Sequence, residues 1–394
     1  SEMCIRDSYV GVNDRNKHRF EGMWPLPYGV SYNSYLIDDE MVALVDTVDI
    51  CYFEVYLRKI KQVIGERPIN YLIINHMEPD HSGSIRLIKQ HYPGIIIVGN
   101  KQTFGMIEGF YGVTGEQYLV KEGDFLALGH HKLRFYMTPM VHWPETMMTF
   151  DETDGVLFSG DGFGCFGTVD GGFLDTRINV DKYWGEMVRY YSNIVGKYGS
   201  PVQKALQKLG GLPISAICST HGPVWTENIA KVIGIYDRLS RYDADEGVVI
   251  AYGSMYGNTE QMAEAIAEEL SAQGVKNIVM HNVTKSHPSY IIADIFRYKG
   301  LIIGSPTYSN QIFPEVEALL SKILLREVKG RYLGYFGSFT WAGAAVKRLA
   351  EFAEKSKFEL VGDPVEMKQA MKDLTYTQCE NLARAMADRL KKDR

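Results

Sequence analysis

The 394-residue chain is poor in cysteine and has no long apolar run. Its five cysteines are Cys4, Cys51, Cys165, Cys218 and Cys379, and no two of them form a C-x-x-C pair. The chain therefore encodes neither a rubredoxin-type iron site nor a zinc ribbon, and scattered thiols are typical of a reducing compartment. Because no stretch of about 18 apolar residues exists, we expect no membrane span.

Basic residues are not in excess either. The formal net charge is -6, so nothing in the sequence attracts the chain to a phosphate backbone, and we expect no nucleic-acid partner. No basic segment followed by an apolar one opens the chain, so we expect no secretory signal and a cytoplasmic location. Residues 1–8 fit no pattern that bears on fold or function.

The clearest break in the pattern is the polar segment 241–247, which is followed at once by the apolar run 248–252. From there, five apolar runs alternate with five segments of helical spacing, which predicts a doubly wound, five-stranded parallel sheet. Before the break, strands and helices mix, as they do when helices cover paired sheets. We therefore predict an α/β protein with two domains, residues 1–244 and 245–394.

The segment Y-L-I-I-N-H-M-E-P-D-H-S-G places four metal-ligand types just past a buried strand. They are His76, Glu78, Asp80 and His81. Loops at strand ends are where α/β scaffolds commonly build sites. The alternation of ligand types suits side chains that point at two adjacent ions.

Three more candidates stand where an apolar run gives way to a tight turn: His142 in P-M-V-H-W-P-E, Asp161 in F-S-G-D-G-F-G, and His221 in I-C-S-T-H-G-P. Singly, each has an ordinary explanation, because an Asp before Gly is usually a turn residue and a lone His beside Trp143 is usually packed. Together with the first four they make a complete ligand set.

This set resembles the metallo-β-lactamase superfamily and, within it, the flavodiiron proteins, also called A-type flavoproteins. The run P-L-P-Y-G-V-S-Y-N-S-Y-L-I is similar to that family as well, and the resemblance extends from about Tyr9 onward. It implies an N-terminal αββα sandwich with a catalytic pair of iron ions. By resemblance, one iron takes His76, Glu78 and His142, the other takes Asp80, His81 and His221, and Asp161 bridges them. In some members the residue that matches His81 binds no metal.

Glu78 bears on the choice of metal. The hydrolytic members of the superfamily have H-x-H-x-D-H and bind zinc, whereas this chain has a carboxylate at the second position. A carboxylate hardens the site and favours iron in oxidation chemistry. Trp143 and Glu145 lie near His142 in sequence, and we interpret them as pocket wall in preference to hydrogen-bond partners of a ligand.

In the second part, the first strand leads into G-S-M-Y-G-N-T before a helix. Ser254, Asn258 and Thr259 offer donors, Gly257 permits a tight turn, and the helix directs free N–H groups at an anion. The segment lacks G-K-[ST] and G-x-G-x-x-G, so neither a triphosphate loop nor a Rossmann dinucleotide site is expected. By itself it is equally well an ordinary helix cap.

Two further loops, G-S-P-T-Y-S-N-Q and G-S-F-T-W-A-G, follow the third and fourth strands. Ligands bind at the carboxyl ends of parallel strands, and Tyr308 and Trp341 suit the two faces of a flat ring. The three loops resemble a flavodoxin domain, and one phosphate cradle suits FMN better than FAD. The resemblance assigns FMN binding to Ser254, Met255, Tyr256, Gly257, Asn258, Thr259, Pro306, Thr307, Tyr308, Asn310, Ser338, Trp341 and Gly343.

An iron pair and a flavin together store four electrons, enough to reduce O2 to water, and two electrons suffice to convert two NO into N2O. We therefore expect an oxygen or nitric oxide reductase, with the choice of gas open. Because this sequence contains no rubredoxin or NAD-binding module, it needs an external electron donor. The resemblance implies rubredoxin or a related reductase, and a head-to-tail homodimer or a dimer of dimers.

Two alternatives remain at this point. A dinuclear zinc hydrolase with a fused flavodoxin domain would attack with a metal-bound hydroxide, but Glu78 and the flavin loops argue against it. An FMN electron carrier without gas reductase activity would need no metal, and the complete ligand set argues against that.

Overall fold

The computed structural model describes residues 9–393, and the chain folds into two compact units that meet in sequence between Asp237 and Arg238. Both units combine helices with sheets, as predicted. The division predicted after residue 244 coincides with the start of the first strand of the second unit, Asp245. That division stays a prediction.

Unit 1 carries most of its chemistry-bearing residues at the ends of short strands. Its strands are β1 (Val12–Asp14), β2 (Arg19–Phe20), β3 (Trp24–Pro25), β4 (Val30–Tyr32), β5 (Tyr35–Ile37), β6 (Ala43–Val45), β7 (Tyr71–Ile73), β8 (Ile96–Gly99), β9 (Gln117–Leu119), β10 (Phe125–Ala127), β11 (Lys132–Met137), β12 (Met147–Asp151), β13 (Val156–Gly160) and β14 (Ala216–Ser219). Its helices are α1 (Phe53–Ile64), α2 (Pro79–Ser82), α3 (Ile85–His91), α4 (Lys101–Tyr111), α5 (Asp181–Tyr190), α6 (Gly199–Leu209) and α7 (Ile229–Ser240). Single turns lie at Ile50–Tyr52, Tyr191–Val195 and Gly196–Tyr198.

Two five-stranded sheets face each other in unit 1, in the orders β5-β6-β7-β8-β9 and β10-β11-β12-β13-β14. One continuous core fills the space between them. The first sheet contributes Ile37, Val45, Ile73 and Val98, and the second contributes Leu133, Phe135, Met147, Phe158 and Ala216. Alternate residues of β11 are buried, as the two-residue period of a strand requires. Each large side chain removed from water here contributes about 1.5–3 kcal/mol, so this core holds the two sheets in fixed relation.

Helix α1 shows why the helices of unit 1 form. Its buried residues Phe53, Tyr56, Ile60 and Ile64 recur every three or four positions and make one apolar face. Gly65 ends the helix with a positive φ of +62°, and its N–H donates to the carbonyl of Lys61.

Helices α4 to α7 were not predicted from the sequence. Glycines inside these segments, such as Gly105, Gly109, Gly185 and Gly234, lower intrinsic helix propensity by about 1 kcal/mol each. Tertiary structure and capping override that preference. At the start of α4, for example, the side chain of Asn100 accepts from the N–H groups of Gln102 and Thr103.

Unit 2 is a doubly wound sheet. Its strands are β15 (Asp245–Tyr252), β16 (Ile278–Asn282), β17 (Tyr298–Tyr308), β18 (Gln311–Ile312), β19 (Tyr332–Phe339), β20 (Glu359–Leu360) and β21 (Val365–Lys368). Its helices are α8 (Asn258–Ala272), α9 (Pro288–Arg297), α10 (Pro314–Arg326), α11 (Ala345–Ser356) and α12 (Asp373–Lys391).

The sheet order β16-β15-β17-β19-β20 has the five parallel positions that the sequence predicts. The fifth position is divided, because β20 pairs with the start of β19 and β21 pairs with its end. Between them lie Gly362, with φ of +69°, and Pro364, which has no N–H for a ladder. The short strand β18 adds an antiparallel hairpin to β17.

The first strand starts earlier than the apolar run 248–252 indicates. Asp245 already pairs with Tyr298 of β17, although it is exposed. Backbone pairing, which the apolar pattern does not report, extends the strand by a few polar residues.

Within residues 9–393, no helix is long and apolar enough to cross a bilayer.

One titratable pair ties two turns of the second sheet of unit 1 together. His131, in the turn before β11, bonds through Nδ1 to Asp151 Oδ2 at the end of β12, over 2.7 Å. Its backbone N–H donates to Asp39 Oδ2. The hydrogen bond that His131 donates to Asp151 raises the pKa of His131 and outweighs the effect of burial.

A raised histidine pKa means that this pair stabilises the fold fully below pH about 6.5, and that the stabilisation is lost as pH rises through the folded-state pKa. We expect His131→Gln to lower the unfolding free energy of unit 1 by a few tenths to about 1 kcal/mol at pH 6, after solvent screening. At pH 9 the difference from wild type should be smaller. Chemical unfolding at both pH values measures it, and an equal difference at both would contradict the assignment.

Candidate metal centre and cofactor loops

All seven predicted ligands lie in unit 1, at the ends of β7, β11, β13 and β14. His76 and Glu78 follow β7, and Pro79 starts the short helix α2, which carries Asp80 and His81. His142 lies in the loop between β11 and β12, where the Val141–His142 peptide bond is cis.

Asp161 and His221 come from neighbouring strands. They follow β13 and β14, which are parallel and pair Gly160 with Ser219. Their side chains therefore emerge close to one another.

Four donor atoms converge in what we call site A: His76 Nε2, Glu78 Oε2, His142 Nε2 and Asp161 Oδ2. His142 Nε2 lies 3.1 Å from Glu78 Oε2, 3.1 Å from Asp161 Oδ2 and 3.3 Å from His76 Nε2. His76 Nε2 lies 3.7 Å from Glu78 Oε2 and 3.6 Å from Asp161 Oδ2. Ligands held at about 2.0–2.1 Å around one transition-metal ion are themselves roughly 3.0–3.4 Å apart, so the spacing suits such an ion.

A second group, site B, consists of Asp80, His81, His221 and the other oxygen of Asp161. His81 Nε2 lies 3.2 Å from Asp161 Oδ1 and 3.7 Å from Asp80 Oδ1. His221 Nε2 lies 3.4 Å from Asp80 Oδ2 and 3.6 Å from Asp161 Oδ1. Asp161 therefore presents Oδ2 to site A and Oδ1 to site B, which is the arrangement of a bridging carboxylate.

Several atoms of site B are buried without a hydrogen-bond partner in the described chain: both oxygens of Asp80, both ring nitrogens of His81, and His221 Nε2. Each buried polar group without a partner costs about 1–3 kcal/mol. A cation bound between these atoms would satisfy the ligand-facing ones at once, so the residues fit a metal ion. The mixture of imidazole and carboxylate is typical of non-haem iron.

The electrostatics of the cluster favour positive charge. Burial lowers the pKa of His81, but the carboxylates of Asp161 and Asp80 raise it to about 10. Burial and the charge of Glu78 raise the pKa of Asp80 to about 6. Burial also opposes ionisation of Asp161, yet the surrounding histidines, led by His81, hold its pKa well below the usual range.

Glu78 and His76 show the same balance. Burial raises the pKa of Glu78, but hydrogen bonds from His142 and His76 lower it to about 2. Burial lowers the pKa of His76, and Asp161, Glu145 and Glu78 reverse that shift. The carboxylates attract protons onto the imidazoles, and a dication would satisfy the same attraction.

Two groups that the sequence analysis did not identify orient His221 and Asp161. His221 Nδ1 donates to the carbonyl of Ser31 over 2.8 Å, and Thr220 donates its hydroxyl proton to Asp161 Oδ1. Ser31 lies in the P-L-P-Y-G-V-S-Y run, which was the only signal for it.

Glu145 is not merely pocket wall, the interpretation that the sequence favoured. Its Oε1 accepts from His76 Nδ1 over 2.6 Å. Trp143 does act as wall, with its ring edge-on to His76 at 5.2 Å.

Aromatic side chains enclose site B. Phe20, Tyr190 and Tyr32 lie around His221 at ring distances of 5.4, 5.8 and 6.0 Å. All three are buried. They keep bulk water from the donor atoms and lower the local dielectric, which strengthens the interactions described above.

In unit 2 the three predicted loops meet at the carboxyl edge of β15, β17 and β19. Ser254, Met255, Tyr256 and Gly257 follow β15, and Asn258 and Thr259 open α8. Gly257 has φ of +90°, and its N–H donates to Ser254 Oγ over 3.1 Å. This turn leaves the first N–H groups of α8 pointing out of the loop, as an anion requires.

The other two loops are joined to the first and to each other. Pro306, Thr307 and Tyr308 end β17, Asn310 lies in the hairpin turn before β18, and Ser338 lies near the end of β19. Thr259 and Ser338 share a hydrogen bond of 2.9 Å. Thr307 Oγ1 accepts from the N–H groups of Ala344 and Ala345 at the start of α11, so its hydroxyl supports the loop that carries Trp341 and Gly343.

Large aromatic side chains stand exposed at this edge. Tyr256 is 89% exposed, Trp341 81% and Tyr308 48%. Grouped exposed aromatics indicate a binding surface, and they suit a flat ring that covers them. The cradle and the aromatics together fit FMN.

Comparison with known proteins agrees with this geometry. Residues 30–222 match the ODP family beta lactamase model, and residues 250–381 match the flavodoxin model. The anaerobic nitric oxide reductase flavorubredoxin of Vibrio vulnificus is 32% identical over 89% of this chain and 72% of its own length. A nitric oxide reductase of Moorella thermoacetica is 31% identical over 97% of this chain and 96% of its own.

Solved structures extend the agreement to three dimensions. The rubredoxin oxygen:oxidoreductase of Desulfovibrio gigas superposes with a TM-score of 0.94 at 31% identity, covering 98% of this chain and 96% of that one. The flavodiiron protein of Giardia intestinalis gives 0.91 at 26% identity, covering 98% and 96%. The chain belongs to the flavodiiron proteins.

Membership confirms the predicted fold class, with its lactamase-like and flavodoxin-like parts, and makes the chain an oxidoreductase. Flavodiiron proteins carry FMN on the flavodoxin part and a di-iron centre on the other. Sites A and B, and the three loops of unit 2, are where this flavodiiron chain has residues that fit those cofactors.

Gly257 offers a test of the FMN loops. An alanine there would be strained at φ of +90°, at a cost of order 1–3 kcal/mol. The loop would shift away from the helix N-terminus. We expect Gly257→Ala to weaken FMN binding about tenfold or more, measured by fluorescence titration of the flavin-stripped protein.

Gly274 provides the matched control, since it also has positive φ (+86°) and open space around it, but lies beyond the other end of α8. Gly274→Ala should strain the fold and leave FMN affinity unchanged. Equal FMN affinity in both variants and wild type would remove Gly257 from the cradle.

Proposed function

We propose that this flavodiiron protein reduces O2 to water, NO to N2O, or both, between sites A and B. Electrons would come from an external donor such as rubredoxin and pass through FMN on unit 2. The observation that carries the proposal is Asp161, whose two oxygens face two separate groups of buried donor atoms. A centre of that kind would hold two ions next to each other, where a diatomic gas would bind.

We assign the ligands as the geometry groups them. Site A would use His76, Glu78 and His142, site B would use Asp80, His81 and His221, and Asp161 would be shared. His81 is supported as a ligand by its Nε2, which lies among the acceptors of site B without a hydrogen-bond partner.

When bound, the iron pair and FMN supply four electrons, which O2 needs together with four protons to give two waters; two NO need two electrons and two protons to give N2O and one water. The chain's own residues hold the ions and exclude bulk water. Glu78 and Asp80 add negative charge that stabilises oxidised metal, and the aromatic wall of Phe20, Tyr32 and Tyr190 limits access.

The names of the relatives support the reduction of either gas. The Vibrio vulnificus and Moorella thermoacetica proteins are nitric oxide reductases, and the Desulfovibrio gigas protein is a rubredoxin oxygen:oxidoreductase. The last name also supports rubredoxin as donor. A head-to-tail homodimer or dimer of dimers, and a cytoplasmic location, stay predictions from the sequence.

For FMN we propose the residues of the three loops. Tyr308 and Trp341 would cover the ring, with Tyr256 and Met255 beside it. The phosphate would lie against Ser254, Asn258 and Thr259 at the start of α8, and Asn310 and Gly343 would face the polar edge. Pro306, Thr307 and Ser338 would support these contacts from the ends of β17 and β19.

Three observations argue against the alternatives, a zinc hydrolase and an FMN electron carrier. Glu78 Oε2 occupies a donor position of site A, where the hydrolytic members of the superfamily use an imidazole. Family membership makes the chain an oxidoreductase, which argues against the hydrolase, and the two complete donor groups of sites A and B argue against a simple carrier.

Gas consumption is the direct test. The purified holoprotein, supplied with reduced rubredoxin, should consume O2, NO or both on a gas electrode. His142→Ala removes a donor at the centre of site A and should lower the rate at least about a hundredfold, because a misplaced metal loses the positioning that catalysis needs.

The exposed His91→Ala is the matched control and should keep the wild-type rate. Removal of the metals should abolish consumption while FMN stays bound. If the loaded protein consumed neither gas, or if His142→Ala matched wild type, the proposed function would be wrong.

A further inference from the structure

Sites A and B have matching donor sets. Each contains two histidines, one carboxylate of its own and one oxygen of Asp161. Neither the number of donors nor their formal charge therefore favours one half. What differs is how firmly the rest of the chain holds them.

Site A has a further carboxylate behind it, one that is not among its donors. Glu145 is fully buried, and its Oε1 accepts from both His76 Nδ1 (2.6 Å) and the N–H of Met77 (2.9 Å). A carboxylate only accepts, so His76 must carry its proton on Nδ1 and present Nε2 to site A.

The main chain of Glu145 is anchored as well, because its carbonyl accepts from Asn100 Nδ2 over 2.6 Å. The acceptor behind His76 therefore has a fixed position before any metal arrives.

The second oxygen of Glu145 has no partner in the described chain although it is buried. A neutral amide of the same shape would avoid burying that charge. The chain keeps a charged group directly behind one ligand, where it raises the basicity of the imidazole.

Site B has no carboxylate hydrogen-bonded behind a histidine among the described residues; the charge of the buried Asp46 acts on His81 without a hydrogen bond to it. His221 Nδ1 donates to a neutral carbonyl, that of Ser31, over 2.8 Å. His81 Nδ1 and both oxygens of Asp80 have no hydrogen-bond partner among the described residues. Thr220 holds Asp161 Oδ1 and Ser31 holds His221. It is therefore the side chains of His81 and Asp80 that depend on the metal for their order.

We propose that Glu145 is a positioning residue that makes site A the tighter half, so that the first metal ion binds there and site B fills second. This rests on the ligand assignment of the proposed function. Pre-ordered ligands lose less freedom on binding, and a carboxylate behind a histidine commonly changes metal affinity by about 10–100-fold.

The test uses full-length protein with FMN bound and its metals removed, titrated with Co²⁺ in competition with a chelator. Wild type should bind two ions in two resolved steps. Glu145→Ala should weaken the first step about 10–100-fold and change the ligand-field spectrum of the first Co²⁺, while the second step stays within about threefold. Glu145→Gln keeps the shape and one acceptor, and should fall between the two.

Two controls separate positioning from a general structural role. The exposed Glu108→Gln makes the same change of carboxylate to amide on α4 and should bind both ions as wild type does. The FMN content of each variant reports whether unit 2 has folded, and near-ultraviolet circular dichroism, to which the buried aromatic side chains of unit 1 contribute, reports whether unit 1 has folded.

A second comparison leaves Glu145 in place. His221→Ala should keep the tight first step and lose the second, whereas His142→Ala should lose the tight step. This pair decides the order of filling even if Glu145→Ala does not fold.

The inference is overturned if Glu145→Gln and Glu145→Ala bind the first ion like wild type, if both steps weaken equally, or if His221→Ala is the variant that loses the tight step. Failure of wild type to bind two ions at all is a different result, because it would overturn the ligand assignment and the proposed function with it.

Discussion

Like charges forced together in a dry interior are the constraint around which unit 1 is built. Glu78, Asp80, Glu145 and Asp161 approach one another where little water can screen them, and the four imidazoles between them, together with the Thr220 hydroxyl and the Met77 N–H, offset the repulsion. A single carboxylate left unpaired there would cost several kcal/mol. The sandwich core must be rigid enough to hold this arrangement, and the packed interface between the two sheets provides that rigidity.

The proposed ligand set could be predicted from the sequence because each member has a distinctive local context. His76, Asp161 and His221 each follow an apolar run at a turn, and strands end in that way. The proposed bridging role of Asp161 was predicted only by resemblance. It depends on the parallel register of β13 and β14 and on the direction in which each oxygen points. The local sequence pattern predicts neither property. Glu145 was misjudged for the same reason, since its neighbour Trp143 indicated a wall and nothing local indicated His76 as its partner.

The prediction of secondary structure failed where intrinsic propensity and tertiary context disagree. Glycines in α4, α5 and α7 obscured the helical pattern of segments that capping and packing keep helical. Polar residues at the start of β15 obscured the first paired positions of that strand. In unit 2 the alternation of strand and helix was regular enough to predict the sheet. The bonds that join its loops, Thr259 to Ser338 and Thr307 to the start of α11, were not predictable, because they link residues far apart in the chain.

The dispersion of the ligands along the chain has a consequence for folding. Two ions held by segments after β7, β11, β13 and β14 would tie both sheets of the sandwich together, much as cross-links do. Cross-links that close long loops reduce the freedom of the unfolded chain most. In a chain with few cysteines, all of the described ones unpaired, the metal centre would take the place that disulfides hold in other proteins. Loss of metal would then loosen the architecture of unit 1 as well as its chemistry.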